Sequence, residues 1–392
     1  MRSSTPADYG EALAWLFAQR RQGPRGLSRI RTLLERLGHP EEAFLAVHVL
    51  GTNGKGSVVA YLEAAFQALG VPFGAYTSPH LLDFRERIRT QKGLIPKEEV
   101  VAFVDWARGQ TFPEPPAFFD LATALAFHHF QKAGVRLAGV EAGVGGALDA
   151  TNALARVAVT VLTNVGEDHL EALGGSLEAV AQDKAGAFRP GVPVVTAAQG
   201  VGLRVAKEVA ARRGSSLYVL SPEDPLFALP EKPALRGAFQ EENARLAAAA
   251  LRLLGFSERA IAEGLQRARH PGRMQEVFHQ GVRLILDGAH NPPAVRALVQ
   301  EVEAYHLLFG AFPRKDVKGM LRLLLPKARS VRFARAGEGA LGPELGEPFF
   351  EDPGEALHHA LEGAKEDGLP VLATGSLYLV GTLLAVLGQD PA

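Results

Sequence analysis

The sequence predicts a two-domain α/β protein, with a larger domain on a mostly parallel sheet followed by a smaller, doubly wound α/β domain. Three observations predict it. From Ala46 onward, short apolar runs that read as buried strands alternate with helical stretches, the pattern of a parallel sheet covered on both faces. The alternation breaks at HPGRMQ (270–275) and then resumes, which puts a boundary near 270–276 and domains at 1–272 and 273–392. A chain of 392 residues also exceeds what one hydrophobic core ordinarily serves.

The elements follow in order. Leu13, Leu16 and Phe17 make one helical stripe, and Ile30, Leu33, Leu34 and Leu37 make a second. AVHVL (46–50) is a strand, GTNGKGS a glycine loop, and VVAYLEAAFQALG a helix that Gly70 stops. VPFGAYTSPH gives another strand and loop, and Leu121 to Phe130 a helix. LAGVEAG (137–143), VAVTVLTNV (157–165) and PVVTAA (193–198) are further buried strands. Residues 221–240 read as an irregular excursion, before helices at 243–255 and 258–268. In the second domain VRLILDGAH (282–290), YHLLFGAF (305–312), SVRFARA (330–336) and PVLATGS (370–376) are strands. Helices are expected from about Pro293 to Glu303 and over LYLVGTLLAVLG.

Composition narrows the function. Lys plus Arg number 42 against 43 Asp plus Glu, a net charge of −1. That balance argues against a general nucleic-acid coat or a polybasic membrane binder, and leaves room only for a local basic groove. No run of about 18 apolar residues is present, as a transmembrane helix needs. The start, MRSSTPADYGEALAW, lacks a signal-peptide apolar core, so a cytoplasmic protein is expected. The absence of Cys excludes disulfides, thiol nucleophiles and thiolate metal sites. Asn occurs only five times (53, 152, 164, 243 and 291), and Lys 11 times against 31 Arg. Such scarcity fits heat adaptation or a GC-rich genome. The Asn and Lys that remain are therefore read first for function, and every Asn falls inside a motif.

The strongest local signal is Gly51-Thr52-Asn53-Gly54-Lys55-Gly56-Ser57, between a strand and a helix. Glycines let backbone N–H groups point at phosphate oxygens, and the helix offers its positive end. Lys55 has the reach for β/γ-phosphates, and the Ser57 hydroxyl suits Mg²⁺. The loop departs from the common GxxxxGK[ST] form, since Gly follows the Lys and the hydroxyl comes one residue later. Glu141 ends an apolar strand, where a carboxylate beside a phosphate loop is placed to hold Mg²⁺.

A series of motifs extends this. HVLGTNGKGSV, TSPHLLDFRERI (77–88), EAGVGGALDATN (141–152), TNVGEDH (163–169) and DKAG (183–186) occur in order. FQEENA (239–244), HPGRMQ, DGAHNP (287–292) and TGSLYLVG (374–381) follow them. The glycine loop resembles that of the Mur-ligase superfamily. The whole series, over about residues 48–381, resembles folylpolyglutamate synthase and the bifunctional dihydrofolate synthase/folylpolyglutamate synthase. TSPHLLDFRERI and GG-LDATN belong to the folate branch rather than to Mur ligases at large.

The resemblance implies a P-loop ATPase domain, a smaller Rossmann-like domain and an active site in the cleft. The implied activity is ATP-dependent joining of L-glutamate to a folate-type carboxylate, on tetrahydrofolate, dihydropteroate or both. It implies ATP contacts at Gly51 to Ser57, Asn243, Arg273 and Asp287, and two Mg²⁺ sites held by Ser57, Glu141, His169 and Lys184. Lys184 is implied to be carbamylated, and Asp168 to support His169. Catalytic roles fall to Lys55, Lys184 and His290, folate contacts to Ser78, His80, Phe84, Arg85 and Asp120, and glutamate contacts to His290 and Ser376. Lys315 and Asp316 resemble a further family loop. Small-molecule substrates and a monomer are expected, with no nucleic-acid or membrane partner.

Bland readings stand beside these. Asn243 suits a helix N-cap, DGAHNP suits a turn in which Asn291 and Pro292 open a helix, and Lys184 suits a helix surface. The chain departs from the family at three places: Ala147 where Arg is usual, Arg85 where Asn is usual, and Asp120 for Glu. Two other functions compete, a Mur-type ligase on a peptidoglycan precursor and a nucleotide-dependent switch without ligase activity.

Overall fold

The computed structural model describes residues 6–389. The chain divides into two units. The first comprises Met1–Ser78, Phe84–Ala234 and Glu242–Arg269, and the second Pro79–Asp83, Leu235–Glu241 and His270–Ala392.

The first unit opens with α1 (Pro6–Ala18) and α2 (Ser28–Arg36), then β1 (Leu45–Leu50) and α3 (Lys55–Ala68). β2 (Phe73–Tyr76), β3 (Ile88–Thr90) and β4 (Gly93–Leu94) precede α4 (Lys97–Arg108) and α5 (Phe118–Ala133). β5 (Leu137–Glu141), β6 (Val157–Leu162), α6 (Leu177–Ala185), β7 (Val194–Thr196), α7 (Gly200–Arg213) and β8 (Leu217–Val219) complete the alternation. The strands form one sheet in the order β4-β3-β2-β5-β1-β6-β7-β8. From β2 to β8 in that order the pairs are parallel, while β3 on β2 and β4 on β3 are antiparallel. β1 is thus central, with Val49 beside Glu141 of β5 and Leu50 beside Leu162 of β6.

Strands buried on both faces carry apolar residues at nearly every position, as β5 (LAGVE) and β6 (VAVTVL) do. One face of the sheet, through Ala46, Ala138 and Val140, packs on the core of α1, α2, α4 and α5. α3 lies on the other, with Val59 and Leu62 against Gly139. The α1 stripe buries Leu16, but Phe17 keeps 42% of its surface exposed. Its ring instead sits 5.2 Å from that of Phe118 and 6.4 Å from that of Phe84.

Helix α8 (Ala238–Leu253) begins five residues earlier than the sequence suggests, so Asn243 lies inside it. Its reading as an N-cap is thereby overturned: residues 238–242 already carry the helix before it. Helix α9 (Glu258–Arg267) follows and packs on α3.

The second unit contains β9 (Gln275–His279), β10 (Val282–Leu286), α10 (Pro292–Gln300), β11 (Tyr305–Phe309) and α11 (Val317–Leu324). β12 (Ala328–Ala334), β13 (Phe349–Phe350), α12 (Pro353–Asp367), β14 (Val371–Thr374) and α13 (Leu377–Val386) complete it. The sheet runs β13-β12-β11-β14-β10-β9, parallel except for the β9–β10 hairpin. Alternation sorts its strands: Leu284 and Leu286 face one core with α12 and α13, and Ile285 faces the other with α10 and α11. Asn291 caps α10, its Oδ1 accepting from Ala294 N at 2.9 Å, and Pro292 takes the first helical position. Leu81, from Pro79–Asp83, joins the core of this unit, where Gly381 leaves room for its backbone.

The α3–α9 contact gives a stability prediction. A Cβ on Gly264 would fall 2.6 Å from Ala65 Cβ, with the Ala65 backbone at 2.9 Å. Gly264→Ala is expected to destabilise by about 1–3 kcal/mol, as overpacking does. That is a fall of about 2–4 °C in melting temperature per kcal/mol for a unit of this size. An unchanged thermal melt would show that the helices separate without cost.

Candidate functional site

The glycine loop leaves β1 and enters α3 through two residues that only glycine suits. Gly51 has φ +141°, and a Cβ there would fall 1.8 Å from Thr163 Oγ1. Gly54, at the N-cap of α3, has φ +84°, and its Cβ would fall 2.2 Å from Asn243 Oδ1. Segment 163–166, after β6, grips the loop. Asn53 N donates to Asn164 Oδ1 at 3.0 Å, and Asn164 Nδ2 donates back to Asn53 O at 3.2 Å. Thr163 Oγ1 donates to Asn53 O at 2.6 Å, and Gly166 N donates to Thr52 Oγ1 at 2.9 Å. Lys55 and Ser57 occupy the first turn of α3, with Ser57 buried.

Charged side chains converge on this loop. Lys55 Nζ donates to Thr52 O at 3.1 Å and lies 4.0 Å from Glu141 Oε1. Glu141 is buried at the end of β5, and its Oε2 accepts from Ser78 N at 3.1 Å. Lys184, in the last turn of α6, is not on a surface: it is 4% exposed, and its Nζ donates to Gly51 O at 2.9 Å. Burial, and then the charge of Lys55, pull the Lys184 ammonium down to about 7.

The neighbouring loop 142–151 is held by Asp149. Its Oδ2 accepts from Gly143 N at 3.1 Å and Val144 N at 2.9 Å, and its Oδ1 accepts from Thr151 Oγ1 at 2.5 Å. His48 Nε2 lies 2.8 Å from the same Thr151 hydroxyl. With that hydroxyl donating to Asp149, His48 donates through Nε2 and stays neutral. Burial lowers its pKa to about 3.

Other candidates fall in different surroundings. Asn243 is buried against Gly54. His169, with φ +53°, is substantially exposed; its Nε2 lies 3.7 Å from Asp168 Oδ2. Among the described residues, the only trio of His and carboxylate ligand atoms within 4.8 Å of one another is His39, Glu41 and Glu42, which omits Glu141 and His169. Phe84 is buried with Phe118, their centroids 6.1 Å apart, and the Arg87 guanidinium lies over both rings. Arg85, beside Phe84 in the same short turn, is half-buried. Asp120 caps α5, accepting from Ala117 N at 2.9 Å, and burial raises its carboxyl.

In the second unit, Asp287 is buried at the end of β10 and accepts from Met274 N and Ala289 N, both at 2.8 Å. Burial raises its carboxyl, and the Arg273 charge opposes this. His290 Nδ1 lies 2.9 Å from Gly288 O. Ser376 caps α13 through Tyr378 N at 3.1 Å, and His80 meets the Tyr378 ring edge-on. Asp316 caps α11, accepting from Gly319 N at 2.8 Å, and Lys315 precedes it.

Thr163, Asn164 and Asp149 lie within TNVGEDH and EAGVGGALDATN, but those motifs assign them no role. The scarcity of Asn was the one signal available for Asn164. Nothing in the sequence marked Arg25, whose guanidinium meets Asp183 and Val144.

Known proteins are similar to this chain in sequence and in fold. The Mur ligase middle domain family matches residues 49–223. The dihydrofolate synthase/folylpolyglutamate synthase of Bacillus subtilis is 32% identical, over 96% of this chain and 98% of that one. The folylpolyglutamate synthase of Mycobacterium tuberculosis, solved with ADP, is similar with a TM-score of 0.87 at 27% identity, covering 98% of this chain and 99% of that one. The bifunctional folylpolyglutamate synthase/dihydrofolate synthase of Yersinia pestis, solved with AMPPNP and a Mn ion, gives a TM-score of 0.84 at 30% identity, covering 98% and 100%.

The packing at Gly54 makes a binding prediction. Gly54→Ala puts a methyl group onto Asn243 and strains a positive φ, so the loop and Asn243 have to part. A loss of at least about tenfold in ADP affinity is expected by calorimetric titration, since phosphate binding depends on the aim of the loop's N–H groups. Wild-type affinity would show that the loop tolerates the displacement.

Proposed function

We propose, because this chain belongs to the dihydrofolate synthase/folylpolyglutamate synthase family, that its Gly51–Ser57 loop, Glu141 and Lys184 handle ATP and metal for glutamate ligation. The chain is an ATP-dependent ligase that joins L-glutamate to a folate-type carboxylate. The peptidoglycan alternative falls, because the full-length relatives are folate enzymes and the Mur likeness covers only the middle domain. The observation that carries the site assignment is the convergence of Lys55, Glu141 and buried Lys184 on one glycine loop.

A free carboxylate resists amines because oxide leaves poorly. Here the folate carboxylate oxygen attacks the γ-phosphorus, the bond from phosphorus to the β-bridging oxygen breaks, and ADP departs. The glutamate amine then attacks the acyl carbon, phosphate leaves, and the amine proton passes to solvent. Lys55, at the head of α3, neutralises the transferring phosphoryl group together with the helix N-terminal N–H groups. Asn243 supports the loop through Gly54, and Arg273 and Asp287 serve the nucleotide. His290 and Ser376 serve the glutamate, and Ser78, His80, Phe84, Arg85 and Asp120 the folate. The acceptor is dihydropteroate, tetrahydrofolate or both. The first unit is the ATP-binding domain and the second the glutamate-ligase domain, which the sequence divides as 1–272 and 273–392, in a cytoplasmic monomer. Its partners in this reading are small-molecule substrates: ATP, L-glutamate and the folate-type acceptor.

Buried Glu141 and the Ser57 hydroxyl offer the oxygen donors a hard cation prefers. When bound, Mg²⁺ would offset phosphate charge; Ser57, Glu141, His169 and carbamylated Lys184 would hold it at two sites. The lowered Lys184 pKa supports the carbamate, because only the neutral amine reacts. Its nitrogen attacks CO₂, one proton is released, and the cation becomes a carboxylate-like ligand.

Two outcomes test this reading. Lys55→Ala is expected to lower kcat by at least about 100-fold, with its thermal melt unchanged. Near-normal kinetics would remove Lys55 from the mechanism. Lys184→Ala and Lys184→Arg are both expected to lose activity, since guanidinium cannot become an anionic ligand. Wild-type enzyme should weaken on CO₂ depletion, recover with bicarbonate and give a carbamate signal with ¹³C-bicarbonate by NMR. No such signal would leave Lys184 an amine.

A further inference from the structure

Arg25 lies between α1 and α2, far in sequence from every motif described above. Its Nη2 donates to Val144 O at 2.7 Å, and its Nη1 donates to Asp183 Oδ2 at 3.3 Å. That same carboxylate oxygen accepts from Gly146 N at 3.1 Å, while Ala147 N donates to Asp183 O at 2.8 Å. Val144 stands three residues beyond Glu141, and Asp183 immediately precedes Lys184. One guanidinium and one carboxylate therefore tie the loop leaving Glu141 to the helical turn carrying Lys184. Both side chains are largely buried, 12% and 13% exposed. The tie closes on bare backbone: a Cβ on Gly145 would fall 1.8 Å from Asp183 Oδ2 and 2.8 Å from Arg25 Nη2, and one on Gly146 would fall 2.6 Å from Lys184 O.

The geometry points to Arg25 and Asp183 as positioning residues that fix the spacing of Glu141 and Lys184 for metal binding. This rests on the reading that those two side chains are metal ligands. The planar fork of Arg25 spans two acceptors on different segments, a carbonyl and a carboxylate, which a lysine point charge cannot reproduce. Groups that orient metal ligands in this way typically cost about 10–100-fold in metal affinity when removed.

The test is a Mg²⁺ titration at a fixed concentration of non-hydrolysable ATP analogue, read by thermal shift and, separately, by kcat with ATP. It compares wild type with Arg25→Lys, Asp183→Asn and Lys184→Met, at a temperature where circular dichroism shows each folded. In Arg25→Lys and Asp183→Asn the half-saturating Mg²⁺ is expected to rise about 10–100-fold, with kcat recovering at saturating Mg²⁺. A lowered melting temperature with wild-type half-saturation in both variants overturns the proposal and leaves the pair as structural glue. Should Arg25→Lys fail to fold, Asp183→Asn, which keeps shape and an acceptor oxygen, decides alone. Lys184→Met separates the two levels. If it leaves half-saturation unchanged, the reading of Lys184 as a ligand falls. If it weakens Mg²⁺ while the other two variants do not, only the positioning role falls.

Discussion

Two positive side chains meet at one short loop, and burial makes it costly for both to stay charged. Lys55 lies near Glu141, whereas Lys184 finds a neutral carbonyl, Gly51 O, and is almost wholly out of solvent. Desolvation and like-charge repulsion act on Lys184 in the same direction, toward the neutral amine. Much of the surrounding structure serves this arrangement. Gly51 has to be free of a side chain because Thr163 comes against it, and Thr163 is there because β6 is a neighbour of β1. The sheet order thus decides which residues surround the loop.

The layout of the first unit was largely legible, because strands buried on both faces write themselves as apolar runs bounded by glycine. β1, β5, β6 and β7 appear where AVHVL, LAGVEAG, VAVTVLTNV and PVVTAA place them. The hairpin of β3 and β4 was not legible: Ile88–Thr90 and Gly93–Leu94 are too short to show a period. α8 was read too short, because FQEE before Asn243 carries no apolar period, so the Asn looked like a beginning. Phe17 shares the helical stripe of Leu13 and Leu16, but its ring closes on other aromatics and stays 42% exposed.

The site was legible where a motif is contiguous and illegible where it is assembled. GTNGKGS announces its own chemistry. The grip of Asn164 on Asn53, the buried neutral His48 behind Thr151 and the reach of Arg25 to Asp183 join residues more than a hundred positions apart. Nothing local distinguishes Arg25 from the other arginines. Lys184 shows the same limit from the other side: its helical surroundings alone suit a surface residue, the resemblance singles it out, and the turn of α6 against the loop makes it a buried amine.

The second unit is not one stretch of sequence. Pro79–Asp83 belongs to it by contact, with Leu81 in the core beside Val380 and Leu377. During synthesis that segment leaves the ribosome long before α13 exists, so Leu81 has to wait, exposed, while the first sheet forms around its flanks. Recombination meets the same fact. A crossover that exchanged only the part of the gene after residue 270 would carry off α13 and leave its leucine partner behind, so the incoming helix would meet a Leu81 it was not packed against.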